Sequence, residues 1–398
     1  MYFFLCIVLL FHTVLGVYDP RIEFRDGLVF QDMSSCKQLI SEERAYQIYE
    51  KNETNMIILE GTSLIGRSGN HFLDISQHLS MGFCCKGIVE LPEEDKILPS
   101  LNGSFRSDKR FFDFSDADVP EEFEYLSKNQ EICPKNIVFK DSIGGILLSL
   151  PQVDKDLRLC TSRVYLRGCE TAYLGDIANT NTCKIENSIP DTNYDKKCRE
   201  PRKSNIVGTE SLVVHIRSGD IFRPGSNHFE FGQPPLQYYI DSINSQVWSS
   251  VTIITYARID SLVNPIFSAL EDLNCQGYLG ENVKTYKNRD WNLDFRDMVC
   301  ADALVMSKSS AHHMTLALTK ARKLFVPSTC GGKLGRKRDY FPLNTNLMYS
   351  ELKDVSIYGI EWGDSEYSVY KKWEPSFKQY QEMLQFKDMT IKKCDKYF

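Results

Sequence analysis

Leu212-Val213-Val214-His215-Ile216-Arg217-Ser218-Gly219-Asp220-Ile221-Phe222 is an apolar, β-branched run that stops on a His, an Arg, a Gly and an Asp. A continuous apolar run of this kind is the pattern of a strand buried on both faces of a parallel sheet. The polar cluster then falls at the strand's carboxyl end, which is where open α/β sheets bind ligands. An Arg delivered there by a rigid strand is placed to hold a phosphate or carboxylate with both arms of its guanidinium.

Outward from this strand the chain alternates. Strands are expected at 211–217, 251–257, 283–287, 303–306 and 323–327, and helices at about 235–247, 262–274, 294–301 and 310–322. An earlier stretch repeats the theme. Met56-Ile57-Ile58-Leu59 reads as a strand, and residues 61–69 as a glycine-rich turn. Residues 70–85 have apolar positions at helical spacing, and 87–92 read as a second strand. This is a βαβ unit opening a parallel sheet. Lys135–Asp141 reads as a further strand, and 150–175 carry helix. Residues 93–135 show no clear periodicity. Residues 366–388 read as a tail helix packing back on the body. The fold class is α/β. Its divisions are a leader (1–17), an N-terminal domain (18–178), an Asn-, Lys- and Pro-rich linker (179–210), a C-terminal domain (211–365) and a helical tail (366–398).

A chain of 398 residues is long enough for two domains with their own cores. A net charge of −6 and the lack of a basic stripe interleaved with aromatics argue against a nucleic-acid partner. The basic cluster Lys333-Leu334-Gly335-Arg336-Lys337-Arg338 reads as a solvated loop. Tyr2–Val17 is apolar but for His12 and Thr13, and Val14-Leu15-Gly16 suits a signal-peptidase site. A cleaved signal is favoured over an uncleaved anchor, since a bilayer span needs roughly 20 residues. Thirteen cysteines, twelve without Cys6, suit an oxidising lumen, either secretory or extracellular. Cys160, Cys169, Cys183 and Cys198 read as local staples. Asn52-Glu53-Thr54, Asn102-Gly103-Ser104 and Asn181-Thr182-Cys183 are glycosylation sequons that agree with that compartment.

Three segments, in order, carry a resemblance. His215-Ile216-Arg217-Ser218-Gly219-Asp220 resembles the His-x-Arg-Arg-Gly-Asp motif of the α1,2/α1,6- and protein O-fucosyltransferase superfamily. Ile65-Gly66-Arg67-Ser68-Gly69-Asn70-His71 resembles its amino-terminal Gly-Arg-x-Gly-Asn-Gln signature. Residues 294–310, ending in Ser307-Lys308-Ser309-Ser310, resemble its third motif. Ser218 departs from the family's second Arg, His71 from its Gln, and Ala311-His312-His313-Met314 from its Phe-Ser-Trp-Trp. These departures bear on donor sugar and acceptor more than on fold. The resemblance implies two Rossmann-like domains facing across a cleft, the glycosyltransferase B architecture. The first domain is then the acceptor side and the second binds the nucleotide sugar. It implies GDP-fucose as donor substrate, no cofactor, and a glycan or glycoprotein acceptor in the Golgi or endoplasmic reticulum lumen, or outside the cell.

Sugar transfer requires stabilising a departing diphosphate, with a divalent metal or with fixed cations and N–H donors. Asp116-Ala117-Asp118 and Asp154-Lys155-Asp156 match a metal-binding Asp-x-Asp in letters only, because no strong strand precedes either. That leaves Arg217, which matches the family Arg on the donor's β-phosphate, with Arg67 as a second cation. The bland alternative for Arg217 is a structural ion pair with Asp220. His215 either supports the site, by orienting Arg217 or touching the nucleotide, or is a core histidine. Asp220 either serves the reaction or caps its turn. Arg67 and Asn70 face the donor by resemblance, although Asn70 also suits an N-cap. Ser309 and Ser310 sit where a helix begins, to hold phosphate or simply to cap. Asp297 and Asp302 lie where the family holds guanine or ribose. Asp220, Glu230 and Asp74 are candidate general bases. Gln233-Pro234-Pro235 and Tyr238-Tyr239 read mainly as structure. His312 and His313 are adjacent, as poor joint metal ligands, and His71 and His78 lack a carboxylate or Cys partner in reach. The reading is an inverting, metal-independent fucosyltransferase. Its alternatives are a transferase of the same fold using another nucleotide sugar, or a secreted, non-catalytic glycan-binding protein.

Overall fold

The computed structural model describes residues 29–32, 39–51, 54–59, 78–91, 110–134, 136–139, 154–167, 208–226, 232–257, 262–280, 282–289, 291–309, 311–312, 315, 319, 321–330 and 355–394. The chain divides into two compact units, Met1–Ile177 and Ala178–Phe398. Among the described residues no helix is long and apolar enough to cross a membrane.

The first unit holds strands β1 (Val29–Asp32), β2 (Leu39–Ile40), β3 (Met56–Leu59), β4 (Ile88–Leu91), β5 (Arg110–Asp113), β6 (Asn136–Phe139) and β7 (Val164–Arg167). Five form a sheet in the order β2-β5-β4-β3-β6. β3 runs parallel to both β4 and β6, as the βαβ reading requires, and β5 and β2 are antiparallel additions. β1 pairs with β7 in a separate parallel ribbon. β5 and β7 were not apparent in the sequence. Residues 78–84 are helical, and Gly82 brings that helix against β4, since a Cβ there would lie 2.1 Å from Val89. Helix α1 (Glu42–Glu50) starts on Ser41, whose side chain accepts the Arg44 N–H. It buries Ala45 and Ile48 against Met56, Ile88 and Phe111. Helices α2 (Glu124–Lys128) and α3 (Lys155–Arg163) follow, the latter inside the stretch expected to carry helix.

The adjacent cysteines at the end of the 78–84 helix pair in different directions. Cys84 bonds Cys160 of α3 and Cys85 bonds Cys133. This corrects the local-staple reading of Cys160. Its partner lies 76 residues away, because the packing of two helices, not sequence proximity, sets the pair. Cys169, Cys183 and Cys198 lie outside the described residues, as do the leader and the Asn of each sequon. In the chain-entropy view, closing loops of this size removes about 4 kcal/mol of unfolded-state freedom each. Reductant is therefore expected to lower the unfolding midpoint steeply, and denatured, unreduced protein should titrate few free thiols. Ten or more thiols and a reductant-insensitive midpoint would contradict it.

The second unit holds one seven-stranded sheet: β8 (Ser211–Arg217), β9 (Ser250–Tyr256), β10 (Val283–Lys287), β11 (Ala303–Val305), β12 (Lys323–Thr329), β13 (Ser356–Trp362) and β14 (Met389–Lys393). The order is β10-β9-β8-β11-β12-β13-β14, all parallel except β14. Counted within the unit, the parallel strands run 3-2-1-4-5-6, a doubly wound arrangement whose order reverses between β8 and β11. Helices α4 (Leu236–Ile243), α5 (Pro265–Cys275) and α6 (Trp291–Cys300) alternate with the strands close to the expected positions. β8 is buried from Leu212 to Ile216. Leu212, Val214 and Ile216 join Tyr238, Ile253, Phe267 and Trp373 in one core.

The tail departs from expectation. Instead of one helix over 366–388, α7 covers Phe377–Gln385, and β14 then returns antiparallel to β13. Residues 366–394 thus belong to the second unit rather than to a separate tail. Cys330, just after β12, bonds Cys394, just after β14, and fixes this edge.

Candidate functional site

Parallel strands put every carboxyl end on one side of the sheet. At the reversal, the end of β8 (Arg217-Ser218-Gly219-Asp220) therefore meets the end of β11 (Met306-Ser307-Lys308-Ser309). Gly219 makes the turn at φ +83°, a left-handed conformation that suits glycine. Its N–H donates to Leu262 O at 2.8 Å.

Arg217 is fixed from several directions. Its backbone N–H donates to Ser307 Oγ at 3.2 Å. Its Nη1 donates to Lys308 O at 3.3 Å, and its Nη2 lies 3.4 Å from Asp220 Oδ2. The side chain remains 15% exposed, so a ligand can reach it. The Arg217–Asp220 ion pair, the structural alternative raised for this Arg, is thus present. An ion pair between partly exposed groups contributes little to stability, and together with the Lys308 carbonyl it sets the direction of the guanidinium. The carbonyl of Arg217 accepts Asn264 Nδ2 at 3.0 Å. Asn264 also caps α5, accepting the Ile266 N–H at 3.0 Å. This buried residue ties the strand end to the next helix. It is not singled out in the sequence, where the expected helix begins at 262; an Asn directly ahead of a helix-starting Pro is the signal that could have found it.

Ser218 explains one departure from the family pattern. It is 1% exposed. Thr255 donates its hydroxyl to Ile216 O at 2.7 Å, so Ser218 donates to Thr255 Oγ1 at 2.6 Å and accepts the Asn264 N–H at 2.9 Å. The position is a satisfied joint between β8, β9 and α5, and it carries no ligand-facing charge.

His215 is buried and meets His312, a helical residue after β11 and 97 positions away. His215 Nδ1 and His312 Nε2 are 3.1 Å apart, with the rings edge to face. His312 Nε2 accepts the Ser307 N–H at 3.2 Å, so this nitrogen carries no proton and His215 holds its own on Nδ1. His215, His312 and Ser307 together lock the β8–β11 junction beside Arg217. Nothing local in the sequence marks the contact.

The other expected residues divide. Ser309 caps the start of the following helix, with its Oγ accepting the Ala311 N–H at 3.3 Å. Asp297 lies on α6, where Arg289 donates to it at 2.6 Å and Arg296 at 3.4 Å. Arg289 also holds the buried Asp294 at 2.8 Å and sits 4.3 Å over the Tyr286 ring. Burial opposes the charge on Arg289, but Asp297 and Asp294 outweigh it and raise its pKa further. Asp302 is a correction. It precedes β11 and accepts the Ser211 N–H and hydroxyl, both at 2.8 Å. This is the amino end of the sheet, about 20 Å from Arg217 along a seven-residue strand. Asp302 therefore holds the start of β8 and is remote from the strand-end site. Arg67, Asn70, Ser310, His71, Asp74, Glu230, His313 and the 333–338 loop lie outside the described residues.

In the first unit, neither half of Asp154-Lys155-Asp156 is poised as a metal pair. Asp154 accepts the Asp156 N–H at 2.7 Å in the turn that starts α3, and Asp156 accepts Tyr125 OH at 2.5 Å. That bond pushes the Tyr125 phenol up to about 12.

The Gln233 loop joins the site from the other side. Gln233 Nε2 donates to Lys308 O at 3.5 Å, and its own carbonyl accepts Tyr367 OH at 2.8 Å. Tyr238 and Tyr239 are fully buried, and Tyr238 OH spans Met306 O at 3.0 Å and Phe325 O at 2.7 Å. They are structural, as the sequence suggested. No protein-family model and no curated protein matches the chain.

Proposed function

We propose that this chain is an inverting, metal-independent glycosyltransferase that moves fucose from GDP-fucose to a glycan or glycoprotein hydroxyl. One observation carries the reading: Arg217 stands partly exposed at the carboxyl end of the first strand of a 3-2-1-4-5-6 sheet, at the point where the strand order reverses. The motif resemblance supplies the donor. A guanidinium held in place before the reaction stabilises a departing diphosphate without reorganising. Asp220 aims Arg217, Ser309 and its helix start face the phosphates, and Asp297 serves the nucleoside end. Arg67 and Asn70 would complete the donor contacts from the first unit, in a two-domain arrangement of the glycosyltransferase B type. Disulfides agree with a secretory or extracellular compartment.

Transfer is expected to survive chelation. A screen of nucleotide sugars in EDTA should show turnover of GDP-fucose above all others. If EDTA abolishes transfer and Mn²⁺ restores it, the metal-free mechanism is wrong. If UDP binds and GDP does not, the donor is wrong. A second reading, a non-catalytic glycan-binding protein of this fold, is favoured by the structural role of Ser218 where the family has its second Arg. It predicts glycan binding with no affinity for either nucleotide.

A further inference from the structure

We infer that Lys308 is a second positive charge of the diphosphate site and the residue that positions Arg217 there. The inference rests on the proposed nucleotide-sugar reading. Position 218, where a second cation is expected, is a buried serine engaged on both sides. Lys308 stands at the adjoining strand end, where its carbonyl takes Nη1 of Arg217. It is 4% exposed, with Nζ 3.7 Å from the centre of the Tyr370 ring. A desolvated ammonium over an aromatic face is a strong form of cation–π contact. The backbone oxygen of Lys308 takes Nη1 of Arg217, so the side chain that anchors Lys308 also fixes the carbonyl that aims the guanidinium.

Tyr370 is itself immobilised. Its hydroxyl donates to Pro327 O at 3.0 Å, just beyond the middle of β12. The surrounding segment is sewn to the Arg217 loop. Trp373 Nε1 donates to Ile221 O at 2.8 Å, and Gly232 approaches Val369 so closely that a Cβ would lie 2.4 Å from its carbonyl. The segment after β13 therefore packs beneath Lys308 and against the Arg217 loop. A buried cation at this depth is screened little by salt and raises the potential felt by an anion at the strand ends.

The test is calorimetric binding of GDP and of inorganic pyrophosphate to the full chain at two salt concentrations, with melting curves for every variant. Lys308→Met keeps the aliphatic stem and removes the charge. It should weaken both ligands about tenfold or more, through the loss of one little-screened positive charge from the potential at the strand ends. The loss should be equally large at both salt concentrations, since the charge removed is buried and little screened, and it should come without a drop in melting temperature, which a merely structural role would not allow. Lys308→Arg, which also stacks on aromatics, should recover most of the loss. Tyr370→Leu should weaken binding by a second route, whether or not Lys308→Met folds. Lys308→Met binding both ligands like the wild type overturns the inference and leaves the nucleotide-sugar reading intact. A wild-type chain that binds neither GDP nor pyrophosphate removes both.

Discussion

Arg217→Lys should fold and melt like the wild type yet lose a hundredfold or more in transfer rate, or on the order of 3 kcal/mol of transition-state stabilisation. The charge is kept. What disappears is the planar fork, whose Nη1 and Nη2 are oriented by Lys308 O and Asp220 before any ligand arrives. An ammonium on a flexible stem cannot reproduce that aim. Arg217→Ala should lose at least as much. Steady-state turnover of the donor, beside thermal unfolding of each variant, separates the outcomes. Near-wild-type turnover by Arg217→Lys would mean that Arg217 is not the diphosphate clamp. A large drop in melting temperature would instead make its pairing with Asp220 structural.

Ser218→Arg should be among the most destabilising single changes in the second unit, costing on the order of 4 kcal/mol or more. The substitution restores the letter that the family motif has. In this chain it would force a charged side chain into a site that is 1% exposed and already filled by bonds to Thr255 and Asn264. Ser218→Ala should cost about 1–2 kcal/mol, because the Asn264 N–H is left buried without its acceptor. Urea unfolding measures both. A stable Ser218→Arg protein with faster transfer would show that 218 is a vacated ligand position and not a joint.

The same residue shows where sequence reading stops. The β8 run was legible because a strand buried on both faces must be apolar throughout, and because its polar end breaks that pattern sharply. β13 was not legible. Gly359 interrupts it, and the interruption has a tertiary cause: a Cβ there would lie 2.7 Å from Ser328 O and 2.9 Å from Cys330 Sγ. β14 is a sheet edge ending in Lys392 and Lys393, charges that discourage edge pairing and hide the strand. At the site, Arg217 and its pairing with Asp220 could be read from spacing of three residues. The junction of His215 with His312 could not, since nothing local marks residues 97 apart as partners. Lys308 was passed over because a lysine in a serine-rich turn ordinarily points to water, and only the fold brings Tyr370 beneath it. Asp302 was misplaced for the opposite reason. Motif similarity put it beside Asp297, but α6 ends between them and sends Asp302 to the far end of the sheet.

If the β8–β11 switch point holds the diphosphate of a nucleotide, titration of the folded, full-length protein with GDP will show it, for the wild type beside Arg217→Ala. The wild type should bind saturably, and Arg217→Ala should bind a hundredfold or more weaker, with both proteins melting together. Equal GDP affinity in the two proteins, or no binding by the wild type, would contradict that placement.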